Sequence, residues 1–198
     1  MSDWVIILHG LGRSAASMRR MAHAASAAGF TPLCPDYPSH RDDLATLARQ
    51  LAPLLPETGL VHFIGHSLGG ILALRLAEML PAARRGRIVQ LGAPNLGSSL
   101  ANRSALLAPV LGPALLELTR EQPKPDPALC IGAIAGTAAL PLYDVLTGLK
   151  GPNDGKVSLT SAFGHARHCL ALKLTHFKMM DSPEAIAASI RFLQQGRF

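Results

Sequence analysis

Short, continuous apolar runs recur along the chain, separated by longer stretches of mixed polarity. The first run, Trp4–Leu8, is rich in β-branched residues, which is typical of a strand buried on both faces of a parallel sheet. Similar runs predict five more strands, at residues 30–34, 60–65, 87–92, 128–135 and 167–172.

The stretches between these runs predict helices. Ser14 is a suitable N-cap for an alanine-rich helix that ends near residue 28, and Pro183 suits the first turn of a closing helix, Pro183–Gln195. Three further helices are expected at residues 42–54, 71–80 and 104–120, with a long loop at 136–160. Strands that alternate with helices favour an α/β fold, with a mostly parallel sheet of about six strands and helices on both faces. Ligands of such folds bind at the carboxyl ends of the strands.

The length and composition fit one folded domain. A chain of 198 residues has the size of a single domain. With 48% hydrophobic and 16% charged residues, it is too apolar and too varied to be a disordered or fibrous chain. We therefore expect one domain over residues 1–198.

The net charge of +6 would favour nucleic acid or an anionic membrane as a partner. No nucleic-acid-binding motif is present, and no basic stripe carries interleaved aromatic residues. The densest basic cluster, Arg84, Arg85 and Arg87, falls between a predicted helix end and the next strand, where cations cap carbonyl groups. We therefore expect no nucleic acid partner, and at most a transient contact with an anionic lipid surface.

The cysteines and the N-terminal segment indicate the compartment. The three cysteines, Cys34, Cys130 and Cys169, are widely spaced and form neither a disulfide framework nor a CxxC site, so we expect buried free thiols. The first residues lack the basic and apolar regions of a signal peptide, and no apolar stretch of about 20 residues is uninterrupted. The sequence thus predicts a cytoplasmic protein.

The strongest chemical signal is Gly65-His66-Ser67-Leu68-Gly69, a G-x-S-x-G motif between a predicted strand and a predicted helix. A nucleophile at such a sharp turn needs small neighbours, which the glycines supply. The turn places the Ser67 hydroxyl at a helix N-terminus, where the amide of Leu68 faces developing negative charge. Ser67 is therefore the expected nucleophile; the alternative is a glycine-rich turn that only packs.

A serine nucleophile needs a base, and position selects His176 among the eight histidines. His176 follows the last predicted strand and precedes the last helix, so it lies at the carboxyl edge of the sheet. His9 and His66 come too early in the chain, and His62 lies within a predicted strand. His165 and His168 form an HxxH pair without a third metal ligand. We therefore expect no metal site.

The acid that orients the base is less clearly marked. Asp154 lies on a loop that follows the predicted strand at 128–135, at the same edge of the sheet. Asn-Asp-Gly is also a turn sequence in its own right, which is the structural alternative for Asp154. Asp144 is a rival carboxylate, and Asp181 fits better as a cap near the final helix.

Nearly the whole chain resembles the α/β-hydrolases of the lipase and esterase group. The resemblance rests on the G-x-S-x-G motif and on three further blocks, which are His9-Gly10-Leu11-Gly12, Leu91-Gly92-Ala93-Pro94-Asn95-Leu96-Gly97-Ser98 and Asn153-Asp154-Gly155-Lys156-Val157. It implies that Asp154 is the acid, that His176 is the base, and that the backbone amides of Leu11 and Leu68 form the oxyanion hole. It implies no cofactor. In bacterial lipases the second of these three blocks often reads T-P-H-x-G-S, and here Ala93 and Asn95 replace the threonine and the histidine.

The chain is shorter than common members of this group. Only residues 95–127 are available as a short cover or lid-like segment, and an ordinary helix packed on the sheet is the alternative. The resemblance implies a serine hydrolase that cleaves carboxylic esters, of small molecules or lipids, through an acyl-enzyme intermediate. An acyltransferase or a thioesterase would use the same triad, and a non-catalytic binding module would need no triad at all.

Overall fold

Six parallel strands form one sheet in the computed structural model, which describes residues 2–98, 112–139, 149 and 151–198. The strands are β1 (Trp4–Leu8), β2 (Thr31–Leu33), β3 (Val61–His66), β4 (Arg85–Leu91), β5 (Ile131–Gly136) and β6 (His168–Leu172). Their order across the sheet is β2-β1-β3-β4-β5-β6. The fold class expected from the sequence is confirmed, and all six strands are parallel.

Helices cover both faces of the sheet. They are α1 (Arg19–Ala27), α2 (Leu44–Leu51), α3 (Leu68–Met79), α4 (Pro113–Glu117), α5 (Leu159–Phe163) and α6 (Pro183–Gln195). Alternate residues of a strand point to opposite faces. In β1, Ile6 and Leu8 accordingly join the core formed with α2 and α3, while Val5 and Ile7 join the core formed with α1 and α6.

The strand register brings several loops to one edge of the sheet. Leu8 pairs with Gly65, His66 with Leu91, Leu91 with Ile134, and Gly136 with Leu172. Because all strands run in the same direction, the segments that follow β1, β3, β4, β5 and β6 begin at this carboxyl edge. Every residue expected to take part in catalysis lies on one of these segments.

Some local predictions need correction. The segment after Ser14 begins as a 3₁₀ helix, Ala15–Met18, and the Ser14 side chain forms no capping hydrogen bond. Helix α5 begins inside the segment that was expected to be a loop, because the Ser158 side chain accepts a hydrogen bond from the Ser161 amide and caps a single short turn. Of the predicted helix at 104–120, residues 104–111 lie outside the described residues.

The cysteine prediction is also partly wrong. Cys169 is exposed, while Cys34 and Cys130 are half-buried; all three are free thiols. Cys169 lies on β6, an edge strand of the sheet, where the alternate residues Cys169 and Ala171 are exposed to solvent. The expectation of buried thiols took no account of a strand with one open face.

The expected role of the basic cluster as a carbonyl cap is confirmed. The Arg85 guanidinium donates hydrogen bonds to the carbonyls of Leu80 and Glu78, at the C-terminal end of α3. Arg84 donates to Gly59 and Pro56, and Arg87 to Leu193. Among the residues that the structure describes, no helix is long and apolar enough to cross a membrane.

Candidate active site

Ser67 forms a sharp turn between the end of β3 and the start of α3. Its backbone has φ 54° and ψ −119°, and it is the one described residue other than glycine with a positive φ. Its amide donates to the Leu91 carbonyl at 2.9 Å, and its carbonyl accepts from the Gly70 amide at 2.9 Å. Such strained backbone is found at functional sites where the surroundings hold it in place.

The glycines on either side of this turn allow the close approach that the sequence suggested. A Cβ atom on Gly65 would lie 2.2 Å from the Gly69 carbonyl oxygen, and one on Gly69 would lie 2.4 Å from the carbonyl oxygen of Leu8. Strand β3, helix α3 and the end of β1 therefore meet at distances that admit no side chain.

His176 and Asp154 form a buried pair. The Nδ1 atom of His176 lies 2.7 Å from Oδ2 of Asp154, and the two side chains are 4% and 1% exposed. The other carboxylate oxygen accepts hydrogen bonds from the amides of Lys156 at 2.9 Å and Val157 at 2.8 Å. The His176 amide also donates to the Asp154 carbonyl. A neutral His176 ring that donates through Nδ1 keeps Nε2 free of a proton, as a general base requires.

His66 supports the backbone of His176, a contact that the sequence analysis did not identify. Its Nε2 lies 3.0 Å from the His176 carbonyl oxygen, and the two ring centroids are 4.7 Å apart. Burial, followed by the charge of His176, lowers the pKa of His66 well below its ordinary value. The ring is therefore neutral and donates from Nε2. The signal in the sequence was its position directly before the nucleophile.

The loop after β1 is held by residues of the loop after β2. The Tyr37 hydroxyl donates to the His9 carbonyl, and the two rings stack with centroids 3.9 Å apart. The Gly12 amide donates to the Ser39 hydroxyl at 3.0 Å. This bracing holds the segment that carries Leu11.

The two residues whose amides are expected to form the oxyanion hole, Leu11 and Leu68, lie on the segments that follow β1 and β3. Leu11 lines the same cavity as Ser67 and His176. Leu68 is the first residue of α3, so its N–H has no acceptor within the helix.

Gly92 and Gly136 lie against the buried pair and were not recognised as site residues. A Cβ atom on Gly92, which has φ 57°, would lie 2.9 Å from Asp154 Oδ2 and 3.2 Å from His176 Nδ1. One on Gly136 would lie 2.8 Å from the Asp154 Cβ. Both glycines come directly at or after the end of a predicted strand, which was the available signal.

A cavity of about 170 Å³ lies beside Ser67 and His176. Ser67, His176 and Leu11 line one part of it, and apolar side chains that include Leu115, Leu118 and Val157 line another. Leu115 and Leu118 belong to the segment expected to form a cover, of which residues 99–111 lie outside the described residues.

The rival residues lie elsewhere. Asp181 is half exposed and pairs with Arg20 at 3.9 Å, while Asp144 lies outside the described residues. The Nε2 atom of His165 lies 3.8 Å from Oε1 of Glu121. Within the described ranges, no group of three histidine, cysteine or acidic side chains is placed to hold a metal ion.

The loop after β4 has a structural anchor where the lipase pattern has a histidine. Asn95 is buried, and its side-chain amide donates to the Gln90 side chain at 3.0 Å and to the Ala162 carbonyl at 3.1 Å. This residue thus joins the loop to β4 and to α5.

Comparisons with known proteins show which fold this is. The model of the alpha/beta hydrolase family matches residues 5–188. The mature form of a Bacillus licheniformis lipase is 21% identical, with a TM-score of 0.75 over 100% of this chain and 93% of that one. A metagenomic carboxyl esterase is 19% identical, with a TM-score of 0.70 over 90% and 65%. A monoacylglycerol lipase from Paleococcus ferrophilus is 15% identical, with a TM-score of 0.67 over 98% and 94%. No curated protein matches the sequence.

Proposed function

The chain belongs to the alpha/beta hydrolase family, and from that premise we propose that it is a serine hydrolase that cleaves carboxylic esters. One observation carries the proposal: Ser67, on a strained turn, shares a cavity with His176, whose Nδ1 is bound to the buried carboxylate of Asp154. That arrangement has the nucleophile, the base and the orienting acid of a serine hydrolase in the chain order of the fold. The lipases and esterases among the similar structures support the ester as substrate.

The proposed reaction has two halves. Ser67 Oγ attacks the acyl carbon while His176 Nε2 takes its proton, and the amides of Leu11 and Leu68 stabilise the oxyanion. The intermediate collapses to an acyl-enzyme, and His176 gives the proton to the leaving alcohol. Water then attacks the acyl carbon with His176 as base, which releases the carboxylic acid and restores the Ser67 hydroxyl. Asp154 holds the His176 tautomer and stabilises the imidazolium in both halves.

The apolar part of the cavity supports an acyl chain as the group that binds there. Leu115 and Leu118, on and directly after α4, line it together with Val157. Burial of apolar chain atoms against such residues contributes about 0.8 kcal/mol per CH₂ group. In this proposal, the described residues of the 95–127 segment cover the acyl chain, and the substrate is a small-molecule or lipid ester.

The test compares Ser67→Ala with Ser26→Ala, an exposed serine on α1, on p-nitrophenyl esters of short and long acyl chains. We expect Ser67→Ala to lose activity on the order of 10⁶-fold, and Ser26→Ala to retain it. A fluorophosphonate probe should label the unchanged enzyme and Ser26→Ala but not Ser67→Ala. Undiminished turnover by Ser67→Ala would refute the assignment.

Product analysis separates the alternatives that share the acyl-enzyme. With competing alcohols present, an acyltransferase would form a new ester, whereas a hydrolase forms the free acid. Faster turnover of a thioester than of the matching oxygen ester would identify a thioesterase. A non-catalytic binding module would turn over none of these substrates and would leave the probe unreacted.

A further inference from the structure

Two cations and an aromatic ring meet at the mouth of the cavity that contains Ser67. The guanidinium carbon of Arg13 lies 4.6 Å from the centroid of the Phe177 ring, and the Lys156 Nζ lies 4.4 Å from the same centroid. All three side chains line the cavity, and the Phe177 side chain is 42% exposed. We refer to Arg13, Lys156 and Phe177 as the mouth cluster.

The mouth cluster is attached to the same loops as the groups proposed for catalysis. Arg13 comes two residues after Leu11, Lys156 two residues after Asp154, and Phe177 directly after His176. The Phe177 ring packs edge-on against His176, with centroids 5.9 Å apart.

The backbone of Lys156 is held on both sides. Its amide donates to the Asp154 carboxylate at 2.9 Å, and its carbonyl accepts from the Ser98 hydroxyl at 2.8 Å. The Lys156 side chain therefore starts from a backbone position that is held next to Asp154.

Within the part of the chain that the structure describes, the two cations pack on an aromatic ring and form no ion pair. No carboxylate oxygen of the described residues lies within 4.0 Å of a nitrogen of Arg13 or Lys156, whereas Arg75 and Arg85 pair with acidic side chains at 3.2 and 2.7 Å. An aromatic face attracts a cation but leaves its charge in place. The nearby Asp154 already binds His176 and two amides.

Both the burial of Lys156 and its closeness to Arg13 disfavour its positive charge, and a bound anion would offset this. Lys156 is half-buried, and burial together with the charge of Arg13 lowers its pKa. A negative group in the cavity that both cations line would counter both effects by direct attraction. The half-buried position of Lys156, inside the lining of the cavity, suits a single small group better than the plane of a lipid surface.

We propose that the mouth cluster binds a negatively charged oxygen group, a carboxylate or a phosphate, that belongs to the ester substrate. The enzyme then prefers esters that carry such a charge over neutral esters of the same shape. This inference rests on the proposed ester hydrolysis and specifies its substrate class. Arg13 and Lys156 act as specificity residues, while Phe177 positions them.

The test uses a matched pair of substrates. One is the p-nitrophenyl monoester of glutaric acid, which bears a free carboxylate, and the other is the same molecule with that carboxylate capped as a methyl ester. At low salt we expect kcat/KM for the charged ester to exceed that for the neutral one by roughly ten- to a hundredfold. The preference should decrease as salt screens the charges.

Variants assign the preference to particular residues. The ratio of the two kcat/KM values should fall about tenfold in Lys156→Met or Arg13→Gln, and should approach one in the double variant. Lys156→Arg keeps the charge and should keep most of the ratio. Arg191→Gln removes one exposed charge from α6 and should leave the ratio unchanged. A ratio that stays high in the double variant would overturn the proposal.

Two further arms separate the outcomes. If the unchanged enzyme hydrolyses both esters equally at low salt, the anion site is wrong and the esterase proposal survives; if it hydrolyses neither, the esterase proposal fails. Calorimetric titration with glutarate then tests the anion site alone, and equal or absent binding to the unchanged enzyme and the double variant would overturn it. An assay of the neutral ester with phosphatidylglycerol or phosphatidylcholine vesicles tests whether the anion belongs to a lipid headgroup. If the activity depends on charge only when the vesicles are anionic, the assignment of the anion to the substrate is overturned.

Discussion

Replacing Gly92 by alanine is the most direct test of whether the placement of the Asp154–His176 pair limits the rate. Gly92 follows β4, and its backbone has φ 57°. An added Cβ would lie 2.9 Å from Asp154 Oδ2, 3.2 Å from His176 Nδ1 and 2.6 Å from the terminal carbon of Met179. The Met179 side chain is flexible and can move aside. The carboxylate is held by three hydrogen bonds, so its displacement must loosen at least one of them.

The size of the effect follows from these distances. Ordinary contact with a Cβ begins at 3.4 Å, so the carboxylate oxygen at 2.9 Å must move by about 0.5 Å. A misplacement of 1 Å at a catalytic group costs about 10²-fold in rate, so we expect a decrease of roughly tenfold in kcat. The positive φ costs a further 1–2 kcal/mol or so of stability, whatever the surroundings.

Gly29→Ala is the matched control. Gly29 follows α1 with φ 89°, and a Cβ there would meet nothing within 4 Å. Both variants therefore have a strained alanine, but only Gly92→Ala contacts the pair. We expect similar losses of unfolding free energy from the backbone in urea titrations, and a loss of kcat in Gly92→Ala alone. A Gly92→Ala enzyme as active as Gly29→Ala would show that the position of the pair does not limit turnover.

Two further predictions follow from charge and hydrogen bonding. Asp154→Asn should lower kcat by roughly 10⁴-fold, because an amide favours the wrong His176 tautomer; a larger loss in Asp144→Asn would identify Asp144 as the acid instead. Burial lowers the pKa of His62, so below pH 6.5 the unfolded chain binds a proton that the folded chain does not. The unfolding free energy therefore decreases as the pH is lowered, by up to about 1.4 kcal/mol per pH unit, until the folded pKa is passed. His62→Gln should therefore flatten the decline between pH 7 and pH 5 in urea titrations, and two parallel curves would contradict this.

The parts of the fold and site that were predictable are those encoded by neighbouring residues. The strand β1 and the helix α6 are marked by their own apolar pattern and by Pro183, and the bounds match the structure. Ser67 is marked by glycines within a few positions of it. Its strained φ is a local consequence of a turn in which β3 ends and α3 begins without an intervening loop.

The contacts that were missed join residues far apart in the chain. His66 and the His176 carbonyl are 110 residues apart, and Tyr37 reaches the His9 carbonyl across 28 residues. Neither contact changes the local pattern of apolar and polar positions, so no periodicity could indicate it. The role of Gly92 depends in the same way on a carboxylate that comes much later in the sequence.

In this small fold, the proposed anion site and the proposed triad share the same loops, so substrate recognition and catalysis cannot be adjusted independently. The backbone of Lys156 donates to the Asp154 carboxylate, while its side chain lies over Phe177. The Phe177 ring in turn packs against His176, whose Nδ1 is bound to the same carboxylate. A shift of any one of these groups must therefore be absorbed by the others. An anion bound at the mouth cluster would stabilise the loops that hold the acid and the base. A charged substrate should therefore have a higher kcat as well as a lower KM.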